Sequence, residues 1–241
     1  MGAVSLDAEW QSPVCIGIDV GQIADPTAIA VAEAVEKGTG KFRYNSERIP
    51  AHVDETGWFH KPHDADEVMA THYNIRHIQR LPLGTSYPAV AVHIADMLCN
   101  TIFVHRHVRV LIDVTGVGRP VYEDVQKEIS LRPEARLILV RPISFVHGEK
   151  YNRSLGTLGK AYLVSRLQSL LQGGTVHAPD TPEVKVMLEE LKVYQIKVDL
   201  DGNDTYGAMR VGEHDDLATA LALACLEDPF ADRVKYSRRL Y

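Results

Sequence analysis

An apolar run, Val14-Cys15-Ile16-Gly17-Ile18, stops abruptly at Asp19. Such a stretch, rich in β-branched residues and without polar alternation, predicts a strand buried on both faces. Gly21 to Pro26 breaks it, and Thr27 to Glu36 resumes as a second strand, close enough to fold back as an antiparallel hairpin. Tyr73 to Leu81 predicts a third strand, with Asn74, Arg76 and Gln79 among its apolar positions. The pattern then changes period. Ser86 to Leu98 predicts a helix with Ser86 as N-cap and Pro88 in the first turn. Val108 to Asp113 is a fourth strand, Pro120 to Ile129 a helix, and Arg136 to Pro142 a fifth strand.

Leu158 to Leu171 predicts an amphipathic helix, with Leu163, Leu167, Leu170 and Leu171 on one face and Gly173-Gly174 ending it. Thr181-Pro182-Glu183 opens another that runs to about Val193. Asp201-Gly202-Asn203-Asp204 marks a hairpin leading through Thr205 to Val211. A last, almost purely apolar helix runs from Ala218 to Leu226 and is closed by Pro229. Three strands, a helix, alternating strands and helices, and a terminal helix describe an α/β domain. The expected architecture is a mixed sheet, three antiparallel strands followed by parallel ones, with helices on both faces.

Composition narrows the class. The 241 residues are 45% hydrophobic and 24% charged, enough for one α/β domain with a sizeable core. The expected division is an N-terminal extension over 1–12, a domain over 13–228 and a basic tail over 229–241. A polar segment, 45–72, reads as a surface excursion. No apolar run reaches the ~20 residues of a membrane helix, and a signal-peptide pattern is absent, so a cytoplasmic location is expected. Cys15, Cys99 and Cys225 sit in apolar segments and read as reduced core residues. The net charge of -6 argues against a surface coated with nucleic acid, but leaves room for a local basic strip. Arg76 to Arg80, His105 to Arg109 and Arg233 to Arg239 are the candidates, each more readily taken as a strand end or terminus in water.

Candidate chemistry lies at the ends of these elements. His214-Asp215-Asp216-Leu217 opens the apolar helix with two adjacent carboxylates, which are costly to bury unless paired or bound to a cation. Asp19 and Asp113 each end an apolar strand, where α/β sheets collect their active groups. Either strand acid alone could simply cap its own turn. Convergence of all four would produce mutual repulsion, relieved by hard divalent ions that prefer oxygen ligands. Two such ions about 4 Å apart can activate a water and stabilise the leaving oxygen of a phosphodiester.

Four segments, in order, carry a family resemblance: Ile18-Asp19-Val20-Gly21; Asp113-Val114-Thr115-Gly116-Val117-Gly118-Arg119-Pro120-Val121; Gly159-Lys160-Ala161-Tyr162-Leu163-Val164; and Tyr206 through His214-Asp215-Asp216-Leu217-Ala218-Thr219-Ala220-Leu221-Ala222. The chain resembles the C-terminal nuclease domain of phage large terminases, over most of residues 13 to 227. The resemblance implies an RNase H-like fold. It further implies two Mg²⁺ or Mn²⁺ ions held by Asp19, Asp113 and Asp215 or Asp216, and cleavage of concatemeric double-stranded DNA during genome packaging. Partners implied are an ATPase domain or subunit, a small terminase and the capsid portal, in the cytoplasm of a bacterial host. Many members of that family carry Glu where this chain has Asp113; the shorter acid must come closer or act through water.

Adjacent helical residues point about 100° apart, so Asp215 and Asp216 cannot serve one ion identically. Lys160, at a helix start, reads either as a phosphate contact or as a lysine in water. His214 reads as a phosphate partner, as an orienter of Asp215, or as a helix-end residue alone. Ser154 to Ala161 imitates a phosphate-binding loop, but Ser154 replaces its first glycine and Ala161 its hydroxyl residue. Gly38-Thr39-Gly40-Lys41 lacks the spacing and reads as a hairpin turn. No ATPase activity is expected, and the chain reads as a nuclease domain or a separate nuclease subunit. His60, His63, His72 and His77 lack cysteine company and make a poor zinc site. The expected activity is metal-dependent endonucleolytic cleavage of double-stranded DNA with little sequence preference. Its rivals are a junction resolvase or transposase-like nuclease and a non-catalytic packaging module.

Overall fold

The computed structural model describes residues 12–21, 25–49, 52–53, 59–60, 63–100, 103, 106–132, 138–193, 195–198, 204–207 and 215–231. Its centre is β1 (Val14–Asp19), which pairs antiparallel with β2 (Ala28–Ile49) on one side and parallel with β6 (Val108–Asp113) on the other. The antiparallel side continues to β5 (His63–Arg80) and then to β10 (Val176–His177). The parallel side continues to β7 (Ile138–Val146) and β9 (Thr157–Gly159), and β8 (Tyr151–Asn152) closes that edge antiparallel. The full order is β10-β5-β2-β1-β6-β7-β9-β8, the expected mixed sheet.

Alternation along the central strands sorts side chains between two cores. Val14, Ile16 and Ile18 of β1, Ile29 and Val31 of β2, and Val108, Val110 and Ile112 of β6 face α1 (Tyr87–Leu98) and α2 (Gly118–Ser130). The opposite face carries Cys15, Leu111 and the alanines Ala28, Ala30, Ala32 and Ala34. Over it pack α3 (Lys160–Gln172), α4 (Pro182–Val193) and α5 (Asp216–Ala224), so helices cover both faces as expected.

The alanine row has a cause. A helix can sit close to a sheet only where the sheet presents small residues, and α5 sits very close. A Cβ built on Gly17 would lie 2.0 Å from the carbonyl oxygen of Ala220 and 2.5 Å from the amide nitrogen of Ala224. Gly17 is therefore a packing glycine. It lets the α5 backbone rest on β1, which fixes where the helix begins. At the carboxyl end of β6, a Cβ on Gly118 would meet the Asp113 carbonyl at 2.0 Å, so its absence lets α2 start directly against that strand.

Several boundaries differ from the sequence reading. β2 and β5 run far beyond the expected Glu36 and Tyr73, paired to Ile49↔His63, so the polar segment 45–72 is largely built into a two-stranded ribbon. β3 (His52–Val53) and β4 (Phe59–His60) pair with each other within the same segment. Ladder hydrogen bonds do not require an apolar face, which is why hydrophobic alternation did not report them. Gly38 to Lys41 is not a hairpin turn but an irregularity within β2: the register shifts between Gly38 and Phe42, and Gly40 has φ 69°. The Gly40 N–H donates to Glu67 Oε1 at 2.9 Å there.

The helix expected from Leu158 starts at Lys160, because Thr157 to Gly159 pair with β7 as a strand. Ser86 precedes α1 at the N-cap but makes no side-chain capping bond. The expected hairpin near Asp204 is β11 (Gln195–Val198) with β12 (Asp204–Gly207). All three cysteines are free thiols, Cys15 and Cys225 buried, and burial pushes the Cys15 thiol up to about 12. Among the described residues, no helix is long and apolar enough to cross a membrane. Most of the N-terminal extension, His214 and most of the basic tail lie outside the described residues.

Candidate active site

Strand register brings the acids to one rim. Ile18 pairs with Ile112 across the parallel β1–β6 ladder, so Asp19 and Asp113, one residue further, leave the sheet side by side. Strand spacing separates their backbones by about 5 Å. Side-chain alternation puts both on the α5 face, since Asp19 follows Cys15 and Gly17, and Asp113 follows Leu111. On the antiparallel side Asp19 pairs with Ala28, and Ala28 pairs with Arg80. Arg80, Ala28, Asp19 and Asp113 thus form one row across four strands, with α5 opening above it.

The α5 acids do reach this row electrostatically. Burial, followed by the charges of Asp113, Asp215 and Asp216, pushes the Asp19 carboxyl well above its ordinary range, while Lys160 pulls it down. Asp113 is 9% exposed, and burial raises its carboxyl too, against the hydrogen bonds of Thr115 and the charge of Lys160. The Thr115 N–H donates to Asp113 Oδ1 at 2.8 Å, and Phe145 N–H donates to Thr115 Oγ1 at 2.8 Å. Asp113 therefore caps its own turn and also belongs to the acid group; the two readings of a strand-end aspartate are not exclusive.

Lys160 begins α3, half-buried, with its Nζ 5.3 Å from the centre of the Phe145 ring. It is neither a remote surface lysine nor a purely outward one, because its charge acts on both Asp19 and Asp113.

Two residues at this rim were missed by sequence reasoning. Arg80 Nε donates to Asp216 Oδ2 at 2.6 Å, and its Nη2 donates to Glu190 Oε1. Glu190 Oε2 accepts the Ala218 N–H at 3.0 Å, in the first turn of α5. Burial pushes the Glu190 carboxyl up to about 7, with the Ala218 N–H and Arg80 pulling it down and Asp216 adding to the rise. A signal for Glu190 was present: it follows Val184 and Met187 on the buried stripe of α4, where an acid requires a partner. Arg80 stood in a candidate basic strip, read as a nucleic-acid contact or as a strand end in water; its place two residues after buried Ile78 puts it on the α5 face instead.

Arg76 and Arg106 of the candidate strips are also engaged internally, and the Arg233 to Arg239 strip lies outside the described residues. Arg76 Nη2 and Arg106 Nη2 both bind Glu33, and Arg106 also donates to the Ser12 carbonyl at 2.7 Å. His72 does not meet His77, which lies five residues further along β5. It stacks on His177 instead, centroids 5.1 Å apart, because β10 runs alongside β5.

The donor chemistry suits hard divalent cations: carboxylate oxygens only, crowded enough that Asp19 resists ionisation. As the side chains stand, no three metal-ligating groups gather closely enough among the described residues to enclose one ion. Asp216 directs its carboxylate onto Arg80.

No protein-family model matches the chain, and no curated protein does. Among solved structures it is similar to the large terminase nuclease from thermophilic phage G20c with bound cobalt, at 20% identity and TM-score 0.53, covering 90% of this chain and 81% of that one. It is similar also to the human cytomegalovirus terminase nuclease domain, Mn-soaked and inhibitor-bound, at 14% identity and TM-score 0.51, covering 98% and 89%. The same domain without these additions matches at 14% identity and TM-score 0.50, covering 95% and 87%. The chain thus has the RNase H-like fold of terminase nuclease domains.

Proposed function

We propose that this chain is a metal-dependent endonuclease that cuts double-stranded DNA with little sequence preference, as the nuclease part of a viral DNA-packaging terminase. One observation carries the reading: Asp19 and Asp113 leave neighbouring strands on the α5 face, and Asp19 is electrostatically coupled to both acids at the start of α5. The similar folds support it, since those proteins are terminase nucleases whose structures hold cobalt or were soaked with manganese.

Asp19 and Asp113 would hold divalent ions, Mg²⁺ or Mn²⁺, from the sheet, and Asp215 or Asp216 would hold them from above. Bound there, a pair of ions supplies a polarised water and neutralises charge on the leaving oxygen. The chain's own contribution is positional. Thr115 holds the Asp113 carboxylate in place, its N–H on Oδ1. Lys160, in the same electrostatic field, contacts a DNA phosphate as a point charge. His214 would stand next to the α5 acids in sequence and share that role. An ATPase domain or subunit, a small terminase and a portal are the proposed partners, in a bacterial host cytoplasm.

Supercoiled plasmid incubated with Mn²⁺ or Mg²⁺ tests the reading directly. Nicking and linearisation are expected from the wild type and not from Asp113→Asn. Cutting confined to four-way junctions would favour a resolvase, and binding without cutting would favour a packaging module. Cleavage by Asp113→Asn at the wild-type rate would remove the site from consideration.

A further inference from the structure

The two acids at the start of α5 have different surroundings, and the difference assigns them different work. Asp216 is closed in: its side chain is 6% exposed and accepts Arg80 Nε at 2.6 Å. Glu190, 7% exposed, takes the other arm of the same guanidinium and also the Ala218 N–H at 3.0 Å. One planar fork thereby ties the end of β5, the buried stripe of α4 and the first turn of α5. Only Arg can do this, because Lys presents a single point charge without a fixed fork. The anchored row matters too: Arg80 pairs with Ala28, and Ala28 with Asp19, so the clamp stands two strands, about 10 Å, from the strand acid.

Asp215 occupies the N-cap position and is more exposed than Asp216. Its backbone, at φ -125° and ψ 11°, is not helical, and the Arg80 guanidinium is taken up by Asp216 and Glu190.

We propose that Arg80, seconded by Glu190, is a positioning residue that keeps Asp216 as the fixed anchor of α5, so that Asp215 completes the ion-binding set with Asp19 and Asp113. This rests on the nuclease reading for the identity of the ions, but the clamp itself is defined without them.

Mn²⁺ titration calorimetry and thermal melts in EDTA, both on the full chain, test the assignment. Arg80→Lys retains the charge and loses the fork; Mn²⁺ binding should weaken about tenfold, the size expected for a residue that orients a ligand-bearing element. Its melting temperature in EDTA should fall. Asp215→Asn should weaken Mn²⁺ binding at least tenfold with an unchanged or raised melting temperature in EDTA. Asp216→Asn should do the reverse, melting earlier and binding Mn²⁺ within about threefold of wild type once folded, at a temperature well below its melt. The proposal is overturned if Asp216→Asn loses Mn²⁺ as Asp215→Asn does, or if Arg80→Lys binds Mn²⁺ and melts like the wild type. A wild type that binds no Mn²⁺ overturns the nuclease reading as well, whereas wild-type binding unaffected by Arg80→Lys overturns the clamp alone.

Discussion

The two ends of α5 are both ringed by charge, yet they are opposite in kind. Just past its C-terminal end, Glu227 is shared among Arg141, whose Nη1 donates at 2.7 and 3.0 Å, Arg153 at 3.3 Å, and the Tyr151 hydroxyl. Arg141 completes its valence on the Tyr151 hydroxyl at 3.1 Å and the Arg153 carbonyl at 3.0 Å. One acid meets two cations and a phenol. At the N-terminal end, Asp19, Asp113, Asp215, Asp216 and Glu190 meet Arg80 and Lys160. The first network is satisfied and ties β7, β8 and α5 together. The second retains negative charge at a rim of the sheet, a state that burial penalises and that a cation would relieve. A satisfied network serves stability, and an acid-rich one that persists in the fold points to a ligand.

Neutralisation at the two ends should therefore have contrary effects. Asp19→Asn is expected to abolish plasmid cleavage, a loss on the order of a thousandfold or more for a metal ligand, while leaving the metal-free protein as stable as wild type or more so. Glu227→Gln should do the opposite, sparing the cleavage chemistry but destabilising by about 3 kcal/mol, since Arg141 would lose its partner in a mostly buried site. Urea unfolding in EDTA measures both. Equal destabilisation by the two variants would erase the distinction between the ends.

Gly17→Ala acts on the helix between them. Its methyl would collide with the α5 backbone, so a cost of about 1–3 kcal/mol is expected, with a loss of cleavage from displaced acids. Unchanged cleavage would show that the acids tolerate a shift of α5.

The acid end should also show itself in pH. Asp19, Asp113 and Glu190 all have raised carboxyl values, so the folded protein holds protons that the unfolded chain releases. Their contribution to metal-free stability is complete below about pH 4, the unfolded carboxylate value, and is lost as pH rises through the folded values. For Glu190 that loss is centred between its ordinary 4.5 and about 7. The difference in urea midpoint between wild type and Asp19→Asn should turn further against the wild type from pH 5 to pH 8. Saturating Mn²⁺ should flatten the trend, and a wild type that gains on the variant with rising pH would contradict it. The smallest effect is expected away from both ends: Arg76→Ala removes a surface pair whose arginine is 61% exposed, at a cost below about 1 kcal/mol.

Hydrophobic runs made the sheet legible. Val14–Asp19 and Val108–Asp113 stand where the apolar stretches place them, and the end of each run named its acid. What escaped was anything not written in hydrophobicity. The β2–β5 ribbon is held by backbone pairing across polar residues, and the three-residue strand β9 is too short to show a period. The partners within the site escaped for another reason. Arg80 and Glu190 are 110 residues apart in sequence and meet only because β5 and α4 pack on the same helix. A buried acid on an apolar stripe announces that it needs a partner, but not which one.

The floor beneath α5 has a consequence in time. Gly17 and the alanines of β2 are made before the helix that covers them. Domains form in the order in which translation supplies their parts, at roughly 5–20 residues per second. Asp19 and Asp113 thus wait about ten seconds for their partners on α5 after Asp113 has been added, at the middle of that range. During that interval the nascent chain has the sheet acids without the helix that would convert them into a site. The small residues that let α5 settle close also make its arrival the step that brings the acids of strand and helix together.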